Sequence, residues 1–157
     1  MKKGLGIVVF IAVCELAGIV GALFTGPAIP GWYAGLAKPS FNPPNWIFGP
    51  VWTTLYALMG LAAWLVYDRK GRGADVRRAL SIFVAQLVLN VMWSIMFFGA
   101  HQILAAFVII VALWILIAAT IKLFFRISRA AAILLVPYFL WVGFATALNA
   151  ALYALNR

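Results

Sequence analysis

The residues with the most chemistry to offer are rings and amides repeated at helical spacing. Trp52, Tyr56, Met59 and Ala63 recur every three or four positions. Gln86, Asn90, Trp93 and Phe97 do the same, as do Tyr138, Trp141, Ala145 and Leu148, with Asn149 beside them. Residues three or four apart share one helix face, so each series is a stripe of broad rings broken by an amide, a phenol or a small residue. Such stripes suit recognition of a flat apolar molecule, because rings bury large area and Trp and Tyr each add a polar handle. They equally suit plain helix packing, and for any single ring both readings stand. Asn90 and Asn149 are more pointed, since an amide away from water is costly unless partnered. Each either bonds another helix or faces a polar ligand or water. Nothing hydrolytic or metal-binding accompanies them: there is no Cys-x-x-Cys or His-Glu-x-x-His pattern, and the single cysteine, Cys14, excludes an internal disulfide. His101 reads as a solvated loop residue rather than a metal or haem ligand.

The elements that position these stripes follow from composition. Hydrophobic residues make up 67% of the 157 positions and charged residues only 10%, with a mean hydropathy of +1.09. That leaves too little polar surface for a water-soluble fold of this size. A bilayer core of about 30 Å takes roughly 20 apolar residues in helical form. Five stretches qualify, at about 5–24, 47–67, 80–98, 103–125 and 130–155. Lipid offers no partner for backbone N–H and C=O, so each span must be a helix, and the runs lack the alternation of barrel strands. The sequence therefore predicts an all-α integral membrane protein, a single domain over 1–157 built as a bundle of five transmembrane helices. Lys2 and Lys3 resemble the start of a signal peptide, but no small-x-small cleavage site precedes a soluble domain. The first apolar run reads as a retained span.

The net charge of +9 is accounted for by topology. With the N-terminus inside, Lys2, Lys3, Arg69, Lys70, Arg72, Arg77, Arg78, Lys122, Arg126 and Arg129 fall on the inner side, and only Lys38 and Arg157 on the outer. Anionic lipid headgroups are the expected contact. No soluble basic face is left for nucleic acid.

The first loop, 25–45, differs from the other connections. It contains Pro27, Pro30, Pro39, Pro43 and Pro44 together with Trp32, Tyr33 and Phe41. Prolines restrict the backbone and prevent long helix, and loops this long are usually functional or disordered. Restriction combined with rings predicts a folded lid. The connections at 99–102 and 126–129 are short enough to force antiparallel neighbours, whereas 68–78 reads as a solvated link. Trp46, Trp64 and Tyr153 near span ends read as interfacial belts. Gly18, Ala22, Gly143, Ala147 and Ala151 allow close helix contact or dimerisation, and Pro137 interrupts the backbone ladder of the fifth span. Glu15 lies mid-span, where a lone charge costs on the order of 3 kcal/mol. The structural reading, a neutral acid hydrogen-bonded between helices, is preferred to a proton path because no second intramembrane acid accompanies it.

Three segments carry a specific resemblance. "WYAGLAKPSFNPPNWIFGPVWTTLYALMG", "QLVLNVMWSIMFFG" and "PYFLWVGFATALNAALY" resemble the signatures of the translocator protein family (TspO/MBR), also called tryptophan-rich sensory proteins or peripheral-type benzodiazepine receptors. The likeness runs through nearly the whole chain. It implies a five-helix bundle, often dimeric, whose first loop lids a cavity open between helices. It further implies binding of porphyrins such as protoporphyrin IX, of isoquinoline carboxamides and benzodiazepines, and in mitochondrial members of cholesterol. By match to the family motifs the ligand-binding positions would be Trp52, Asn90 and Trp141, with Tyr56, Trp93, Tyr138, Ala145 and Leu148 nearby.

The lid would comprise Trp32, Tyr33, Lys38, Phe41 and Asn42, with Lys38, Asn42 and Asn45 meeting a ligand's carboxylates at the rim. Phe41 stands where the family usually has tryptophan, so it can stack but not donate a hydrogen bond. The sterol motif maps onto Leu148, Tyr153 and Arg157. No His or Cys evidently enters the cavity, which favours metal-free porphyrin as a ligand, with no resident cofactor. The expectation is a homodimeric receptor or translocator in a bacterial-type cell membrane. The alternative is a light-dependent porphyrin-degrading enzyme in which Trp52 and Trp141 supply electrons. A proton-coupled transporter is disfavoured by the shortage of intramembrane charge and the absence of an inverted repeat.

Overall fold

The computed structural model describes residues 3–69, 71 and 73–157. Among them are six α-helices: α1 (Lys3–Ala28), α2 (Phe48–Tyr67), α3 (Ala74–Ser94), α4 (Ile103–Ile127), α5 (Arg129–Leu134) and α6 (Val136–Leu155). A 3₁₀ turn at Asn45–Ile47 leads into α2, and a π-helical turn at Ile95–Gly99 continues α3. Among the described residues these elements form five stretches long and apolar enough to cross a membrane: Lys3–Ala28, Asn45–Tyr67, Asp75–Gly99, Ile103–Ile127 and Arg129–Leu155. Each contains one of the spans predicted from the sequence.

The ends differ for local reasons. α1 continues through Pro27 to Ala28, so the first loop starts several residues later than expected. A proline in the last turn removes only one ladder bond, and Ile29 N still donates to Thr25 O at 3.1 Å. α3 begins at Ala74, with Asp75 in its first turn, where a negative charge meets the positive helix end. Arg77 and Arg78 therefore ride on the helix instead of the link. Lys2, Lys70 and Arg72 lie outside the described residues. The fifth span is broken at Leu135, and Pro137 occupies the first turn of α6, where its missing N–H is tolerated. Ser128 caps α5 by accepting from Ala131 N at 3.4 Å.

α1 packs on α2 and α3, α4 on α3, α5 and α6, and α5 reaches α2. The α1–α2 contact is backbone to backbone. A Cβ added at Gly60 would lie 2.5 Å from Ile11 Cα, so only glycine fits. Gly18 and Gly143 are likewise used within the chain, against Tyr56 and Trp114 respectively. All three stripes face the bundle interior: Tyr56, Met59, Ala63, Gln86, Asn90, Trp93, Phe97, Tyr138, Ala145, Leu148 and Asn149 are buried, while Trp52 and Trp141 are half-buried. The outer face of α1, with Leu5, Val8, Val13, Leu16 and Leu23, is exposed and has lipid as its natural solvent. Trp46 is 74% exposed, as an interfacial belt residue should be, but Trp64 is only 8% exposed. Trp64 is buried because the last turns of α2, where Ala62, Ala63 and Val66 are fully enclosed, are surrounded by neighbouring helices.

Candidate functional site

The centre of the site is a wall of rings. Phe48 and Trp52 stand one turn apart on α2, Trp93 comes from the end of α3, and Phe97 and Phe98 come from the π turn that continues it. Trp52 and Trp93 lie 6.4 Å apart between ring centres, Trp93 stacks on Phe97 at 5.7 Å and meets Phe98 edge-on at 5.9 Å. In a regular helix adjacent residues point about 100° apart. Here the turn widens, with Ala100 N donating to Ile95 O at 2.8 Å and Gln102 N to Met96 O at 2.9 Å, and both Phe97 and Phe98 are buried. Such π turns recur at functional sites.

Two cavities flank this wall, and Phe48, Trp52, Trp93 and Phe98 line both. The lateral cavity, about 310 Å³, lies between α1, α2 and α3 and is bounded by Glu15, Gly18, Ala22, Thr53, Tyr56 and Ser94. Its rim carries the exposed residues Ile19, Gly26 and Gly49. The inner cavity, about 20 Å³, lies between the first loop and α6 and is bounded by Tyr33, Trp141, Ala145, Leu148 and Asn149.

The first loop is folded over the inner cavity. Tyr33, 1% exposed, donates its hydroxyl to Asn42 Oδ1 at 2.6 Å, and Asn42 Nδ2 donates to Pro43 O at 3.1 Å. Burial pushes the Tyr33 phenol above its ordinary pKa. Lys38 Nζ donates to Ala34 O at 3.0 Å and Leu36 O at 3.1 Å and sits 5.1 Å from the centre of the Tyr33 ring. Trp32 stacks on His101 at 4.3 Å, His101 holding a left-handed backbone at φ 58°. Asn156 clamps the loop from the other side: Ala37 N donates to its Oδ1 at 2.9 Å, and its Nδ2 donates to Ala37 O at 2.9 Å.

A family model described as the TspO/MBR family matches residues 10–155. The chain belongs to that family. It is 42% identical over 155 residues to the tryptophan-rich protein TspO of Chlorobaculum tepidum, covering 99% of this chain and 98% of that protein. To the tryptophan-rich protein TspO of Archaeoglobus fulgidus it is 45% identical over 139 residues, 88% of this chain and 89% of the other. To the translocator protein of Homo sapiens it is 40% identical over 136 residues, 86% and 80% of the two chains. With its five apolar spans, this TspO/MBR protein is an integral, multi-pass membrane protein of the translocator or receptor kind.

Within this TspO/MBR member the expected site residues separate into three groups. Trp52, Trp93, Trp141, Ala145 and Leu148 line the inner cavity, and Tyr56 lines the lateral one. Asn90 and Tyr138 line neither. They are spent on a buried relay in which Tyr56 Oη donates to Asn90 Oδ1 at 2.8 Å, Asn90 Nδ2 to Tyr138 Oη at 2.8 Å, and Tyr138 Oη to Gln86 Oε1 at 2.7 Å. This relay ties α2, α3 and α6 together, with the Asn90 amide bonding both other helices. Asn149 accepts from Trp93 Nε1 at 3.1 Å and donates to Ile103 O at 3.0 Å, which fixes the wall's central ring.

In the lid, Lys38 and Asn42 hold the loop itself together instead of projecting over the rim. Phe41 is 49% exposed and meets Phe144 edge-on at 6.2 Å. Asn45 lines the lateral cavity. The sterol-motif residues do not form one surface: Leu148 is buried beneath the lid, Tyr153 half-buried and Arg157 exposed. Among the described residues Glu15 has no hydrogen bond or ion pair to a neighbouring helix, contrary to its expected structural role, and its side chain lines the lateral cavity. Asn156 was missing from the sequence reading; its only signal is an amide directly after the last apolar span. The buried Trp141 Nε1 has no partner among the described residues.

Proposed function

We propose that this protein binds flat, broad apolar molecules between its spans, with porphyrins such as protoporphyrin IX the leading class and sterols or isoquinoline carboxamides as further ligands. The observation that carries the reading is the Trp141 indole N–H, buried without an acceptor beside the inner cavity and the ring wall. An unpaired buried donor costs about 1–3 kcal/mol, and a ligand oxygen or nitrogen placed there would remove that cost. The inner cavity, at about 20 Å³, holds roughly one water, so a tetrapyrrole requires the shared rings to swing aside and join it to the lateral space. Asn156 and the stacked Trp32–His101 pair then set how readily the lid lifts.

On this reading the protein is a receptor or translocator in a bacterial-type cell membrane. The N-terminus is inside, on the same side as Arg69, Arg77, Arg78, Arg126 and Arg129, as the basic bias favours. A homodimer would use the exposed apolar face of α1 or another lipid-facing surface. The test is a fluorescence titration of the purified protein in nanodiscs with protoporphyrin IX, haem and cholesterol. Saturable tryptophan quenching by protoporphyrin IX is expected, and its absence for every flat ligand sinks the proposal.

A further inference from the structure

The lateral cavity contains a carboxyl that neither the wall nor the lid uses. Along α1, Glu15, Gly18, Ala22 and Thr25 follow one another at three- and four-residue steps, with Ile19 beside them, and all line this cavity, so they form one helix face turned into it. Glu15 closes one end of that face. Its carboxyl has no hydrogen bond or ion pair among the described residues, and the lining contains no Lys, Arg or His. The rings of Trp52, Tyr56 and Trp93 line the same cavity. Tyr56 is held close to α1 because Gly18 has no side chain: a Cβ there would lie 2.6 Å from the Tyr56 ring.

In an apolar setting a carboxyl stays ionised only beside a counter-charge, and the described residues lining the cavity supply none. Aromatic faces attract cations through their negative quadrupole, most strongly where water is excluded, and this is how quaternary ammonium groups are recognised. Carboxylate, rings and absence of competing cations thus point to one kind of occupant. We propose that the lateral cavity is a binding site for a lipophilic organic cation, an ammonium group carried on an apolar body, with Glu15 as its counter-charge and Trp52, Tyr56 and Trp93 around its head. The apolar body lies along the small residues Gly18, Ala22 and Gly26. The volume of about 310 Å³ is within the usual range for small-molecule sites. Entry is from outside the bundle, past the exposed Ile19 and Thr53. The occupant differs from a porphyrin, although a tetrapyrrole admitted past the shared rings Phe48, Trp52, Trp93 and Phe98 would extend into the same lateral space.

The test uses the full chain in nanodiscs of zwitterionic phosphatidylcholine, with empty discs as reference. The probes are a naphthylalkyl trimethylammonium ion and its neutral carbon isostere, in which a tert-butyl group replaces the ammonium head. The ammonium probe should quench tryptophan fluorescence saturably, and the isostere should bind about tenfold more weakly, the size of a desolvated cation–ring and ion-pair contribution. Glu15→Gln should lose about tenfold in ammonium affinity while the isostere is unaffected. Equal binding of the two probes, undiminished ammonium binding to Glu15→Gln, or quenching no greater than partition into empty discs each overturns the proposal. Should Glu15→Gln fail to fold, as judged by helix content and melting, Ala22→Phe blocks the site with the carboxylate intact. Unchanged ammonium binding to that variant is equally fatal. Protoporphyrin IX binding that survives in Glu15→Gln while ammonium binding falls distinguishes the two readings, because Glu15 lines the lateral cavity and not the inner one.

Discussion

The two cavities share four rings yet differ in almost everything else. On the α1 side the facing residues are small, and Gly18, Ala22 and Gly26 leave about 310 Å³ open. On the α6 side Trp141, Leu148 and the lid residue Tyr33 fill the corresponding space to about 20 Å³. The polar groups differ in the same sense. Among the described residues the lateral cavity exposes a carboxyl with no hydrogen bond or ion pair, whereas the inner region bonds Asn90 and Asn149 between helices and leaves two buried donors unpaired, Gln86 Nε2 and the Trp141 indole N–H. Open space arises where a helix presents glycine and alanine to rings that cannot follow inward. A ring-rich stripe by itself produces packing; Trp141 differs from its neighbours in having a buried donor without an acceptor beside a cavity.

The comparison breaks most severely at the helix contact that bounds the lateral cavity. Gly60→Ala would drive a Cβ to 2.5 Å from Ile11 Cα and 2.8 Å from Phe10 O, and backbone cannot step aside. A loss of about 3 kcal/mol is expected from overpacking, read as a fall in the thermal midpoint. Gly26→Ala, with nothing within 4 Å, should melt at or above the parent temperature; equal damage at both would discard the close-contact account.

Next in size is the relay that underlies the inner region. Asn90→Ala leaves the Tyr56 hydroxyl without its acceptor and Tyr138 without one donor, for about 2 kcal/mol of stability. Because Asn90 lines neither cavity, porphyrin affinity of the folded fraction should change less than the melt. A large affinity loss with an unchanged melt would return Asn90 to the ligand.

Trp141→Phe removes the unpaired N–H and should weaken protoporphyrin IX binding by about 1 kcal/mol or more. Trp114→Phe, whose indole is satisfied by Phe139 O at 3.2 Å on another face, should not. Equal losses in the titration would mean that binding is not localised beneath the lid. Ala145→Thr places two further heavy atoms beside the inner cavity, and its hydroxyl can bond the Trp141 carbonyl one turn back. Affinity should fall by roughly threefold to tenfold, about 1 kcal/mol, in a site packed this closely, with little change in melting. A collapsed melt would instead make Ala145 a helix-packing residue.

The smallest expected effect is at the clamp. Asn156→Ala removes both exposed bonds to Ala37, each contributing about 0.5–1.5 kcal/mol at most. It should accelerate ligand release by a few-fold without altering association, since such changes usually appear in dissociation rates. Unchanged release in a stopped-flow chase would show that the lid moves independently of the C-terminal end.

The fold was legible because lipid imposes its rule on local sequence. Any run of roughly 20 apolar residues must close its own backbone bonds, so the five spans could be counted without knowing what touches what. The inward faces were legible for a related reason: Trp52, Trp93 and Trp141 recur at helical spacing with buried partners. Neighbours were not legible. Nothing in the sequence says that Asn90 would find two tyrosines from two other helices, that Lys38 would turn onto its own loop, or that Trp64 would be enclosed rather than interfacial. The π turn at Ile95–Gly99, which accompanies burial of two adjacent phenylalanines, has no periodic signal either. By itself the sequence determined the spans, their inward stripes and the stiffness of the first loop, since these follow from hydropathy, 3.6-residue periodicity and proline. Only the tertiary structure decided which polar groups are satisfied and where space remains, because both depend on the distance between helices, and that distance is set by single contacts such as Gly60 against Ile11.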